Sequence, residues 1–357
     1  MSRGSHAWVA GGATAALLWM LAAGDATAAR ETPPSDPEAM RLLRDAAGAA
    51  RTTPYQGTQF ITAWASGSAT RSQVKVLHAP DDGAVVHTGS STADRDIFQP
   101  DAGLAGFTQK MLDLLAHNYS IVRAPDAQVF ERQARVVEAK RADGSVAGRF
   151  WIDRDTGLML HRELADAHGE PAIVTGFSAL TLGPAAVRAP ERGRGVSVGR
   201  IRQSTGTPAA VTSPWGHQLM DTELRRLRAG GWTVPSTLPG RLSLFEARRS
   251  DPDAVIHLSY SDGLSAVSVF VQRGDLDEHR FTGWRKRSLH GNTVFERDSL
   301  QRWAVWASRG YVYTVLAEAP QSTTESVVAA LPHGGTGFWV RPARGLTRLG
   351  SWLNPFS

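Results

Sequence analysis

The sequence predicts an α+β protein: a curved antiparallel β half-barrel with covering helices, followed by a smaller α+β unit. Two amphipathic helical periods frame short alternating segments in the first third of the chain, and regularly spaced glycine turns then mark a strand meander. Between positions 183 and 214 the composition turns to Gly, Pro, Ser, Thr and Arg with no apolar period, as in a linker. At 357 residues the chain exceeds the length over which one core usually keeps growing, so two domains are expected, 36–182 and 215–332, with 333–357 as a tail of unassigned structure. A single large β domain is the alternative.

The first helix is read over 36–51, with Ser35 and Glu38 at capping-box spacing and Met40, Leu43 and Ala47 along one face; Pro54 closes it. Segments 57–64 and 72–78 alternate apolar and polar residues, with Phe60, Thr62 and Trp64 in one and Val74 and Val76 in the other. Leu104, Phe107, Met111, Leu114 and Leu115 recur at helical spacing and place a second helix over 103–117. Asp143-Gly144, Asp155-Thr156-Gly157 and His168-Gly169 then separate four strands at 134–141, 147–153, 158–165 and 172–182.

The second unit opens with a helix over 218–228, stopped by Gly230-Gly231. Strands are read at 242–247, 254–260, 264–272, 292–297, 301–308 and 311–317, and a short helix at 323–330. The tail carries Trp352 and Phe356 near Arg344 and Arg348.

Arg3 and His6 precede an apolar run over 7–24 and then Ala26-Thr27-Ala28, the layout of a signal peptide over 1–28. An uncleaved signal anchor is the alternative, and either way the chain is expected to be exported, to the periplasm or the extracytoplasmic face of the cytoplasmic membrane, and to be peripheral to the membrane. The net charge of +5 is modest and the Arg residues are scattered, which argues against a nucleic-acid groove and leaves anionic headgroups or an acidic partner segment as counterparts.

The chain has no cysteine, which excludes disulfides, thiolate metal sites and cysteine nucleophiles. Gly195-Val196-Ser197-Val198-Gly199 matches the hydrolase elbow pattern, but it sits in the linker with no apolar strand before it and no helix after it. The His residues show no metal-binding spacing, and Asp153 and Asp155 are read as turn residues. No enzyme activity, cofactor or metal is expected.

Eleven Trp and twelve Phe are many for such a chain. Core packing accounts for most of them, yet a strongly curved sheet can leave an apolar trough that suits an acyl chain. Burying ten methylenes there contributes on the order of 8 kcal/mol before ordering costs. The candidates for such a lipid pocket are Phe60, Trp64, Val74, Val76, Phe98, Phe107, Met111, Leu114, Leu115, Trp151 and Phe177.

The run Phe150-Trp151-Ile152-Asp153-Arg154-Asp155-Thr156-Gly157-Leu158 resembles the hairpin of the LolA-like lipoprotein-carrier fold. Gly231-Trp232-Thr233-Val234-Pro235, Leu238-Pro239 and the stretch from Tyr260-Ser261-Asp262-Gly263-Leu264 to Phe270 look like the C-terminal domain of the RseB/MucB family of envelope-stress regulators. The resemblance covers about 36–320. It implies a LolA-like half-barrel that binds lipid, joined to a smaller domain, in a protein that binds the extracytoplasmic segment of an anti-sigma factor until a lipid signal releases it. Trp232, Tyr260, Asp262, Leu264 and Phe270 are the partner-interface candidates it marks. The first unit alone also suggests a lipid or lipoprotein carrier of the LolA/LppX type.

Overall fold

A computed structural model describes residues 33–65, 67–80, 84–88, 107–183, 217–250 and 255–334. Phe98, Leu104 and Ser197, with the leader, linker and tail readings, lie outside these described residues.

The fold is α+β, with two open antiparallel sheets and four α-helices among the described residues. The first sheet contains β1 (Tyr55–Ala65), β2 (Ser68–Ala79), β3 (Ala84–Thr88), β4 (Ser120–Val129), β5 (Arg132–Lys140), β6 (Val146–Asp153), β7 (Met159–Ala165) and β8 (Pro171–Leu182), in the order β3-β2-β1-β8-β7-β6-β5-β4. Helices α1 (Pro37–Thr52) and α2 (Gln109–Asn118) cover one of its faces. Ala39, Leu42, Leu43, Ala46, Ala47 and Ala50 of α1 meet Ile61, Val76, Phe150 and Phe177 of the sheet in a single core. Small residues along α1 let the helix lie close to the strands, so the sheet is filled from that side.

The second sheet contains β9 (His217–Gln218), β10 (Thr237–Leu238), β11 (Leu242–Ser250), β12 (Val255–Ser261), β13 (Ala266–Arg273), β14 (Arg285–Leu289), β15 (Asn292–Asp298), β16 (Arg302–Ser308) and β17 (Tyr311–Glu318). Its order is β10-β11-β12-β13-β17-β16-β15-β14, with β9 paired to β11. Helices α3 (Asp221–Ala229) and α4 (Gln321–Ala330) supply Leu224, Val327 and Val328 to a core built on Leu258, Tyr260, Trp306 and Val315.

Several expectations change at the level of local chemistry. The cap of α1 is Asp36, whose carboxylate accepts the Glu38 N–H at 2.8 Å; Ser35 Oγ instead accepts the Ile121 N–H at 3.1 Å and ties the helix entry to β4. Helix α2 begins only at Gln109, because Thr108 caps it, and Phe107 lies before the helix. Its most deeply buried residues are Leu112 and Leu115, with Met111 and Leu114 partly covered at the flanks.

Strands β4 and β14 have no counterpart in the sequence reading. Both lie at sheet edges, where one side of the ladder needs no partner and polar residues are tolerated. Pro125 and Asp126 sit at a register break in β4, and Arg285, Lys286 and Arg287 fill β14.

The facing of β1 also differs from the one its large side chains suggest. Gln59 pairs with Val74 and Gly57 with Val76, so the core-facing residues of β1 are Tyr55, Ile61 and Ala63. Phe60 pairs with Gln73 and Trp64 with Ala69, on the opposite face from Val74 and Val76. Because side chains alternate with period two, one set must point away when the other points in.

Candidate functional site

The two sheets meet at a joint made by the β12–β13 hairpin, and its geometry is set within five residues. The Asp262 carboxylate accepts the Leu264 and Ser265 N–H groups at 2.8 and 2.6 Å. Ser261 Oγ accepts the Gly263 N–H at 2.9 Å and donates to the Ser265 carbonyl at 2.8 Å. This self-bonded turn needs a left-handed residue at its tip, and Gly263 supplies it with φ of +96°.

The preformed hairpin then enters the first sheet. Tyr119 Oη donates to the second Asp262 oxygen at 2.6 Å, and Asn118 Nδ2 donates to the Asp262 carbonyl at 3.0 Å. A Cβ on Gly263 would lie 2.4 Å from the Leu115 backbone, so glycine is required by space as well as by conformation. Leu264 is 4% exposed and belongs to the core of the first sheet, over Gly148, whose missing Cβ would meet it at 2.9 Å. The Arg162 guanidinium donates to the Leu264 carbonyl and lies near the rings of Phe107 and Phe150, at 5.7 and 6.0 Å.

A second contact reinforces the first. Leu300, in the β15–β16 connection, is also part of the first sheet's core. Arg302 bridges the Ala319 and Trp64 carbonyls, one from each side of the joint. Arg241 extends the seam by donating to the Asn118 carbonyl at 2.6 Å.

Burial dominates the electrostatics here. It pushes the Asp262 carboxyl above its ordinary pKa, although the bonds from Tyr119, Ser265 and Leu264 pull the other way. Burial, with the Asp262 charge and hydrogen bond in support, also drives the Tyr119 phenol up. Glu318 is raised by burial against the Gln301 hydrogen bond and the Arg162 charge, while burial lowers Arg162 against Glu318 and Asp262. Two cations, Arg162 and Arg302, and two carboxylates, Asp262 and Glu318, are thus set at or close to the seam; each depends on its immediate partners once solvent is withdrawn.

Beside the hairpin a cavity of about 190 Å³ opens, lined among others by Tyr119, Arg141, Leu164, Arg241, Asp262 and Thr323. Ligand pockets usually start at about 300 Å³. The Arg141 guanidinium is occupied by the Val146, Ala165 and Asp166 carbonyls, each at 2.8 Å. Among the described residues no group of three or more His, Asp or Glu side chains is placed to hold a metal ion.

The candidates drawn from the sequence divide between these settings. Val74, Val76, Phe107, Leu115 and Phe177 lie in the first core, with Met111 packed against it and Leu114 half-buried. Phe60 and Trp151 lie outside that core, on a ladder with His161, whose ring is 4.7 Å from Trp151 and 6.1 Å from Phe60. Trp64 is 38% exposed. The ten described candidates thus divide between the first core and the other face of the sheet, and Phe98 lies outside the described residues.

Among the partner-interface candidates, Asp262 and Leu264 meet the first sheet at the joint. Tyr260 is fully buried with its hydroxyl on the Pro235 carbonyl at 2.8 Å, Phe270 stacks on His257 at 4.4 Å, and Trp232 packs edge-on against Tyr311 at 5.0 Å. Asn118, Tyr119, Arg162, Leu300 and Arg302 escaped the sequence reading because nothing local marks a residue whose partner is more than a hundred positions away.

Comparison with known proteins gives no matching family model and no matching curated protein. Solved structures do align. A crystal structure of MucB is 21% identical over 83% of this chain and 98% of its own, with a TM-score of 0.47. MucB in the Pseudomonas aeruginosa MucA/MucB complex is 20% identical over 84% of this chain and 100% of its own, with a TM-score of 0.42. The Mycobacterium tuberculosis lipoprotein LppX is 11% identical over 42% of this chain and 95% of its own, with a TM-score of 0.25. The chain is thus similar to MucB over most of its length and to LppX over less than half of it.

Proposed function

We propose that this chain is an extracytoplasmic regulatory binding protein that holds the extracytoplasmic segment of an anti-sigma factor and releases it in response to a lipid-like signal. The proposal rests on the Ser261-Asp262-Gly263-Leu264 hairpin, the part of the sequence with the most specific resemblance to RseB/MucB regulators. In this structure that hairpin is the piece by which one sheet grips the other. A ligand that prefers a different packing of the first sheet changes the environment of Asp262 and Leu264, and so biases the second sheet.

The face of the first sheet that carries its core is covered by α1, α2 and their apolar side chains. An acyl chain entering there must displace part of that packing. Lipid then acts by selecting a loosened arrangement, and its effect on partner binding cannot exceed its preference for that arrangement.

Pull-down with the ectodomain of each cognate anti-sigma factor tests the proposal, with retention expected for one of them and reduced by an added acyl ligand. Failure with every cognate ectodomain would count decisively against it. A lipid or lipoprotein carrier is the second reading, motivated by the first sheet; native mass spectrometry of the purified protein is expected to show a bound acyl lipid in that case.

A further inference from the structure

The β4–β5 hairpin turns through two residues, Phe130 and Glu131, with Val129 paired to Arg132. Both have left-handed backbones, at φ of +51° and +62°. Two other two-residue hairpin loops share this pattern: His290-Gly291 between β14 and β15, and Arg309-Gly310 between β16 and β17. Each of those places a glycine second, the residue that adopts the conformation without steric cost. The Phe130 turn has a side chain at both positions, and a positive φ is a true outlier for a residue as bulky as Phe.

Packing within the chain covers only about half of this residue. Phe130 is 46% exposed, one of few large apolar side chains so placed among the described residues. An Asn-Gly turn would relax the backbone and remove an aromatic ring from water. Strain combined with exposure points to a residue kept for contact.

The surroundings indicate what it contacts. Arg132, which closes the turn, is paired with Asp153 and Asp155 at 2.7 and 3.3 Å. Arg154 and Glu131 add one exposed charge of each sign. An aromatic tip with balanced charges lacks the positive excess that an anionic bilayer surface selects. It has the composition of a protein contact, an aromatic anchor inside a polar rim.

We infer that the Phe130-Glu131 tip is a partner-binding point that inserts the Phe130 ring into an apolar pocket of a protein partner. This rests on the anti-sigma reading for the partner's identity. Strand β4 runs from this tip back to Ser120, next to Tyr119 of the joint, so one strand spans roughly 30 Å between contact point and joint.

The test compares full-length wild type, Glu131→Gly, and the double variant Phe130→Asn/Glu131→Gly for thermal midpoint and for affinity to the ectodomain retained in the pull-down. The double variant is expected to melt about 2–4 °C higher. Its affinity is expected to fall at least about tenfold, and clearly further than that of Glu131→Gly, because the ring supplies most of the contact. Equal affinity of wild type and double variant overturns the tip and leaves the anti-sigma reading standing. A wild type that binds no ectodomain overturns that reading and this assignment together. Loss of Phe130-dependent sedimentation with phosphatidylglycerol vesicles, in place of lost ectodomain binding, overturns the protein contact in favour of a bilayer.

Discussion

Tyr119 and Asp262 are 143 residues apart in sequence, yet the phenol donates to the carboxylate across 2.6 Å at a seam where both residues are buried. A carboxylate in such a place is costly unless each oxygen has a donor. Here one oxygen serves its own turn and the other serves the opposite sheet.

Removing the phenol leaves that second oxygen without its donor. Tyr119→Phe is expected to cost about 1.5–3 kcal/mol, the range for hydrogen bonds to charged groups. In a double-mutant cycle with Asp262→Asn, the two losses are expected to sum to clearly more than the loss in the combined variant. Chemical denaturation of the four proteins measures this, and strict additivity would mean that the contact contributes nothing.

Gly263→Ala introduces a Cβ against the Leu115 backbone at a left-handed position. Destabilisation of about 2–4 kcal/mol is expected, from overpacking and backbone strain together. Gly144→Ala, also left-handed but with open space around it, is the control and is expected to cost about 1 kcal/mol. Differential scanning calorimetry separates the two.

Burial lowers the His257 pKa to about 4, so the fold holds this imidazole neutral against Phe270 and Ser268. A depressed folded pKa means that the unfolded chain binds the proton more readily. The stability gained is complete above about pH 6.5 and is lost as pH falls through about 4. Asp262 has the opposite sign: its raised pKa adds stability on the acid side, which is lost as pH rises. Melting temperature measured from pH 7 to 4 is expected to fall less steeply in His257→Gln than in wild type.

Asp153 shows the reverse balance for a carboxylate. Burial alone would raise it, but hydrogen bonds from Arg132 and Thr156 overcome this and hold it below its ordinary value. Arg132→Met leaves the buried charge with Thr156 alone, and a loss of about 3 kcal/mol is expected. Asp155 is 81% exposed, so Asp155→Asn is expected to change stability by less than about 0.5 kcal/mol. Urea midpoints for the two variants check the contrast.

Much of the strand meander was legible because its turns carry their own chemistry. Asp143-Gly144 and Asp153 to Gly157 organise hydrogen bonds within a few residues, so their letters suffice. The facing of β1 was not legible, because Phe60 and Trp64 are larger and more apolar than Gln59 and Ala63, which point to the core instead. Their placement follows from pairing with β2 and from the close fit of α1, neither of which leaves a mark within β1. The same holds for the joint: Asp262 was noticed as part of a family-like motif, whereas Tyr119 and Leu300 bear no local signal. The glycine-free two-residue turn at Phe130 was hidden for the opposite reason, since nothing about Phe-Glu announces a turn.

Leu264 and Leu300 arrive late in the chain yet complete the interior of the sheet that is synthesised first. Until they dock, the earlier strands and helices carry an oily gap open to solvent. A fragment ending at Leu182 should therefore be sticky, and grafting it elsewhere as a self-sufficient module requires polar replacements where those two leucines dock.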